Sequence, residues 1–240
     1  MNGRPKLNVK LGMSLMLEFT MAFMQANAQV ERTPGTRFVN DIEVAGGPSW
    51  SVMRDNYYTR NSPVIQGMVK RGFSVSLSAN HNLSRRLSLE FIGLFERKGI
   101  LADELVTIIP GVYSTSTVEY TYDYVGVPVI INYSPDAEKR LSFGLGVFSS
   151  YLIKETETRK IPYYRNINTI DETESNLRWD AGAVAQVKYE FRIKNRRFFV
   201  RLIDTRGFVN TKLDTFPDQS FKTNNFSVVV GIKIPFTGAY

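Results

Sequence analysis

The chain of 240 residues has no cysteine and one histidine. Without cysteine there is no disulfide framework, no thiolate nucleophile, no cysteine metal site and no lipid-modified cysteine behind a leader. His81 is followed by Asn82 and Ser84 in a short polar segment that reads as a turn. A histidine base must reach its nucleophile within hydrogen-bond distance, and an isolated turn histidine reads as a polar surface residue. No GxSxG, HExxH, P-loop or GxGxxG at a strand-to-helix junction occurs. No catalytic, cofactor-binding or metal-binding residue is therefore assigned, and the chain is read as a non-enzyme.

Long apolar runs are also missing. Beyond residue 28 none approaches the roughly 18 residues of a spanning helix. Charge of one sign is weak: 30 Lys and Arg against 23 Asp and Glu leave a net +7. The basic residues are dispersed rather than gathered into a footprint, which argues against nucleic acid as a partner. Arg4, Lys6 and Lys10 precede the apolar run LGMSLMLEFTMAFM, which Glu18 interrupts, and Ala26-Asn27-Ala28 follows as a small-x-small cleavage pattern. Residues 1–28 are expected to be a signal peptide and residues 29–240 a single β-barrel domain.

What the chain does have is alternation with period two. FSVSLSAN (73–80) sets Phe73, Val75, Leu77 and Ala79 against Ser74, Ser76, Ser78 and Asn80. In LRWDAGAVAQVKYEF (177–191), Trp179, Val187, Tyr189 and Phe191 oppose Arg178, Asp180, Gln186, Lys188 and Glu190. Eight such segments are expected, near 38–54, 68–82, 84–98, 118–134, 139–154, 177–191, 196–208 and 223–236. Each is long enough for a tilted membrane strand of about 9 to 11 residues. The gaps alternate in length: 55–67, 99–117, 155–176 and 209–222 are long and polar, while those near residues 81–84, 135–138 and 194–196 are short. An up-and-down sheet gathers long loops at one end and tight turns at the other, as transmembrane barrels do with extracellular loops and periplasmic turns.

The fold class expected is therefore all-β: an eight-stranded antiparallel up-and-down transmembrane barrel in the outer membrane of a Gram-negative bacterium. Its fold-level rival is a soluble lipocalin-like container with the faces inverted. Small residues mixed with opposite charges on the polar parity suit a narrow lumen. Buried charges need partners, so a polar network is expected from Glu43, Glu90, Arg178, Asp180, Lys188, Glu190, Arg201 and Lys233. On the apolar parity, Trp50, Phe95 and Trp179 are expected to form the extracellular aromatic girdle. Tyr133, Tyr189, Phe191, Phe198 and Phe236 are expected to form the periplasmic one. Pro128 deletes a ladder donor, so a bulge or weakened pairing is expected there. In the loop 155–176, Tyr163, Tyr164 and Arg165 are interface-prone residue types.

LEFIGLFERKG (89–99) followed by YDYVGVPVIINY (122–133) resembles the paired signatures of the PorT-like outer-membrane β-barrel proteins of Bacteroidetes. The pattern extends over residues 38–236. The resemblance implies an eight-stranded outer-membrane barrel, with some relatives associated with secretion. Glu96, Arg97 and Lys98 are retained, whereas Gly126 and Asn132 stand where the family usually carries an acidic and a basic residue, so the ion pair those positions would form is absent. The function expected is a structural or interaction component of the envelope supporting protein secretion. The alternatives are a narrow channel or small-molecule-binding barrel and, less favoured, a lipid-modifying barrel enzyme. Membrane lipid, lipopolysaccharide and envelope or secretion proteins reached through the extracellular loops are the expected partners.

Overall fold

The computed structural model describes residues 41–55, 68–109, 112–136, 138–160, 167–171, 178–209 and 221–235. The expected signal peptide, Phe236, Tyr163, Tyr164 and Arg165 lie outside the described residues. Among the described residues there are nine strands: β1 (Asp41–Asp55), β2 (Met68–Asn82), β3 (Leu87–Ile109), β4 (Val112–Tyr133), β5 (Leu141–Lys160), β6 (Ile167–Asp171), β7 (Trp179–Ile193), β8 (Arg196–Gly207) and β9 (Phe221–Pro235). All pairings are antiparallel, from β1–β2 round to β9–β1, with β4–β5 closing the ring. Eight strands form the closed barrel, and β6 is added to the outer end of β5.

The alternation resolves into two faces. Leu145 and Val147 are 73% and 65% exposed, while Ser142, Glu90, Lys188 and Arg201 are buried. A soluble container would show the reverse, so the apolar parity is the outer face of a membrane barrel. Burial in β2 follows the serines and asparagine: Ser74, Ser76, Ser78 and Asn80 point inward.

Two expected loops are largely strand. Residues 99–117 continue β3 and β4 as one long ladder from Gly99↔Thr121 to Thr107↔Tyr113. In 155–176, β5 runs to Lys160 and β6 pairs back on it, from Thr156↔Asp171 to Lys160↔Ile167. These stretches are rich in Val, Ile, Thr and Tyr, which suit strands. They lack a continuous apolar parity because a ladder above the bilayer has no lipid face to cover. A search for membrane strands therefore passes over them. The result is a sheet in the order β3-β4-β5-β6 that projects beyond the barrel.

At the other end the connections are short. β7 and β8 are joined by Lys194 and Asn195 alone, with Ile193↔Arg196 as the last pair and Lys194 at a φ of 53°. Pro128 stays in register opposite Phe148, with no bulge. On its other side the β3–β4 pairing is interrupted between Phe91↔Val129 and Leu94↔Gly126, where the missing N–H would fall. Bulges lie elsewhere, between Val69 and Ser74 on β2 and between Leu152 and Lys154 on β5, opposite Asp123 and Tyr124.

Candidate functional site

The lumen is filled in layers. At the periplasmic mouth, Lys233 Nζ lies 2.8 Å from Glu190 Oε1 and 3.4 Å from Asp41 Oδ2. One step deeper, Lys188 Nζ donates to Glu43 Oε1 at 2.9 Å and lies 3.5 Å from Glu90 Oε2. Arg201 Nη2 donates to both Glu43 and Glu90. Glu90 Oε2 also accepts from Asn132 Nδ2 at 2.9 Å and from Gln186 Nε2 at 2.8 Å. The Arg201 guanidinium lies 4.9 Å over the Phe199 ring, and its Nε and Nη1 have no hydrogen-bond partner among the described residues. Two carboxylates thus meet two cations in a buried layer, where pairing is the condition for burying them.

Glycines make this layer possible. A Cβ on Gly144 would come within 2.3 Å of Asn132 Oδ1, and one on Gly231 within 2.3 Å of Phe199 Cζ. Each lends its missing side-chain volume to a neighbouring strand.

Above the lower layer the lumen turns apolar. Ile92, Ile130, Phe148, Val184, Phe199, Ile203 and Val229 are buried together. The sequence puts small residues and opposite charges on the inward parity, and the structure adds a layer of large apolar side chains among them. Phe199 shares the parity of Arg201, so the alternation that placed the arginine also placed the ring. In a barrel of eight strands side chains just fill the interior, and apolar ones fill it without needing partners.

A second polar layer follows. Lys98 Nζ lies 3.0 Å from Glu96 Oε2 and 3.7 Å from Asp180 Oδ2, over the rings of Tyr124 and Phe148. Thr223 Oγ1 donates to Asp180 Oδ2 at 2.5 Å, and Asn225 Nδ2 to Glu96 Oε1 at 2.9 Å. Asp180 Oδ1 has no hydrogen-bond partner among the described residues. Asp180 is therefore separated from Glu43, Glu90, Lys188 and Arg201 by the apolar layer. Arg178, just before β7, donates Nη1 to Tyr151 Oη at 3.0 Å, at the extracellular end. The gap bordered by Leu94, Glu96, Tyr124, Gly126, Pro128, Phe148 and Ser150 does not admit a water-sized sphere.

Aromatic side chains mark both ends of the outer face. Trp50 packs on Phe226 with centroids 6.2 Å apart, Phe73 on Phe95 at 5.5 Å, and Tyr151 edge-on to Trp179 at 5.2 Å. Near the short turns Phe191 stacks on Tyr189 at 6.4 Å and on Phe198 at 6.1 Å, while Tyr133 is exposed.

On the extracellular side Arg97 forks onto Asp123 at 2.7 and 2.8 Å. Lys70 reaches Glu119 at 3.2 Å and also donates to Thr121 Oγ1. Arg206 meets Asp204 at 3.0 Å and Arg159 meets Glu157 at 3.0 Å. In the β4–β5 turn, Asp136 accepts backbone N–H donation from Arg140 at 2.8 Å, which holds its carboxyl below the ordinary 3.8. Lys139 Nζ donates to Asn82 Oδ1 at 2.6 Å. Ser84 Oγ accepts from the N–H groups of Arg86 and Leu87 at 3.2 and 3.0 Å, which makes it a turn cap beside His81. No group of metal-binding side chains occurs among the described residues.

The family described as outer membrane protein beta-barrel domain matches residues 27–213. No curated protein matches the chain. Among solved structures, Neisserial surface protein A is 12% identical, with a TM-score of 0.43 over 81% of this chain and 97% of its own. Ail of Yersinia pestis, solved with the heparin analogue sucrose octasulfate, is 11% identical, with a TM-score of 0.41 over 82% of this chain and 99% of its own. OprG from Pseudomonas aeruginosa is 10% identical, with a TM-score of 0.41 over 83% of this chain and 98% of its own.

Proposed function

The chain belongs to the outer membrane protein beta-barrel domain family, and from that premise we propose that it is a non-enzymatic interaction component of the outer membrane whose working surface is the projecting sheet β3-β4-β5-β6. One observation carries the reading: the ladders continue past the barrel while the lumen beneath them is filled. From Gly99 to Ile109 the β3 strand extends about 33 Å at ~3.3 Å per residue. Among the described residues, β3 beyond Leu101 has no partner on its β2 side, since the β2 ladder ends at Met68↔Leu101. Such an edge offers unpaired N–H and C=O groups to an extended segment of another protein. The PorT-like motifs at 89–99 and 122–133 support a place beside a protein-secretion machine, and residues 1–28 suit a cleaved leader.

A channel would need a continuous path, and the apolar layer between two ion-paired layers weighs against one. The test has two parts. Purified full-length protein in a planar bilayer is expected to show no conductance above background. Replacing residues 102–116 by a tight turn is expected to leave a barrel whose gel mobility still shifts on boiling, yet to abolish both its crosslinks to envelope proteins and its support of secretion in the native host. Unchanged crosslinks and secretion in that variant would remove the reading, and clear conductance would replace it with the channel.

A further inference from the structure

The β7–β8 hairpin carries Arg192, Lys194, Arg196 and Arg197 within six consecutive residues, all exposed. The nearest carboxylate before it, Glu190, is engaged by Lys233. Among the described residues none of these four cations has an ion pair. Register makes the crowding worse: Arg192 faces Arg197 directly, and Arg197 faces Lys233 on β9. Like charges directly opposite across a ladder are destabilising, so the arrangement calls for an anion from outside the chain. Elsewhere, Lys70, Arg97, Arg159 and Arg206 at the extracellular end and Arg140 in the β4–β5 turn each have a carboxylate.

The depth of the hairpin identifies the anion. Arg196 shares the lipid-facing parity of Phe198 and pairs with Ile193, which is 53% exposed. It lies two residues beyond the stacked Phe191–Phe198 pair, about 7 Å along the strand and so about 5 Å in depth at a tilt near 45°. Aromatic residues of a girdle sit at the hydrocarbon boundary, which sets Arg196 at the level of lipid phosphates. A two-residue turn cannot carry the cations further into the periplasm. The Tyr189, Phe191 and Phe198 rings directly above supply an apolar wall for acyl chains.

We propose that this hairpin is a binding site for an anionic phospholipid of the periplasmic leaflet, with Arg196 and Lys194 holding the headgroup phosphate and the Tyr189–Phe191–Phe198 stack seating its chains. Arg192 and Arg197, on the opposite parity, add to the local field rather than to the contact. The inference uses only the placement of the barrel in its membrane and is independent of what the extracellular sheet binds.

The test is lipid selectivity, measured with nitroxide-labelled phosphatidylglycerol against nitroxide-labelled phosphatidylcholine around the full-length barrel in phosphatidylcholine vesicles. The expected result is a preference for phosphatidylglycerol that weakens with salt. It should fall about fivefold for each of Arg196→Gln and Lys194→Gln at low salt, and Arg196→Lys should largely restore it. All variants should keep the boiling-dependent gel shift. Equal association of the two lipids, or a preference untouched by R196Q with K194Q, would overturn the site. So would tight binding of an acidic peptide by detergent-solubilised protein that R192Q with R197Q abolishes and R196Q does not, because the hairpin would then be a protein-docking site.

Discussion

The two polar layers of the lumen are built from the same residue types and balance their charges differently. In the lower layer Glu43 and Glu90 meet Arg201 and Lys188, so every carboxylate has a cation and Arg201 serves both. In the upper layer Glu96 and Asp180 share Lys98 alone, and Asp180 leaves one oxygen without a hydrogen-bond partner among the described residues. The lower layer therefore ties three strands through one guanidinium and a fourth through Lys188, whereas the upper relies on Thr223 and Asn225 to solvate its excess charge. Removing one charge should consequently have opposite consequences in the two places.

The largest effect is expected from Arg201→Met. It leaves two buried carboxylates, Glu43 and Glu90, to share Lys188, and breaking a buried charge set by removing one partner costs about 3–5 kcal/mol. Urea unfolding of the barrel in lipid vesicles should report that loss. A variant as stable as the parent would mean that water enters the lower layer and that the lumen is not closed. A smaller effect, of opposite or no sign, is expected from Asp180→Asn. The amide keeps an acceptor for Thr223 while deleting the surplus carboxylate, so stability should change by less than about 1 kcal/mol or rise. A loss as large as that of Arg201→Met would show that the upper layer is as tightly charge-matched as the lower.

The smallest effect concerns a carboxylate in water rather than in the lumen. Asp136 has its folded value depressed by backbone donation from Arg140. Its contribution is present above the ordinary 3.8 and is lost as pH falls through the lower folded value. Asp136→Asn should flatten the acid limb of the stability profile and slightly lower stability at neutral pH, where the carboxylate's contribution is present. An unaltered acid limb would assign that pH dependence to other carboxylates.

Much of this architecture is legible along the chain because a strand shows its two faces as alternating residues. Glu43, Glu90, Lys188 and Arg201 can be recognised as inward-facing by parity against Val44, Phe91, Val187 and Leu202. The apolar layer was harder to see for the same reason. Ile92, Ile130 and Phe199 occupy the inward parity, where an apolar residue reads as a break in the pattern rather than as a filler. The ladders of 99–109 and 112–117 escaped because alternation marks strands only where one face meets lipid. The unpaired arginines of the β7–β8 hairpin were visible as residues but not as a patch, since dispersion along a sequence says nothing about which turns share an end.

By itself the sequence determined the all-β class, the eight barrel strands, the face of each side chain and the end at which each connection lies. Those are local properties, set by period-two geometry and by connection length. Tertiary structure decided depth, and depth decides partners. Glu43 and Arg201, 158 residues apart, meet because barrel closure and strand register bring them to one level. Asp180, on the same inward parity, is kept from them by a layer of apolar side chains. Register is the sum of every pairing round the ring, and no single strand carries it.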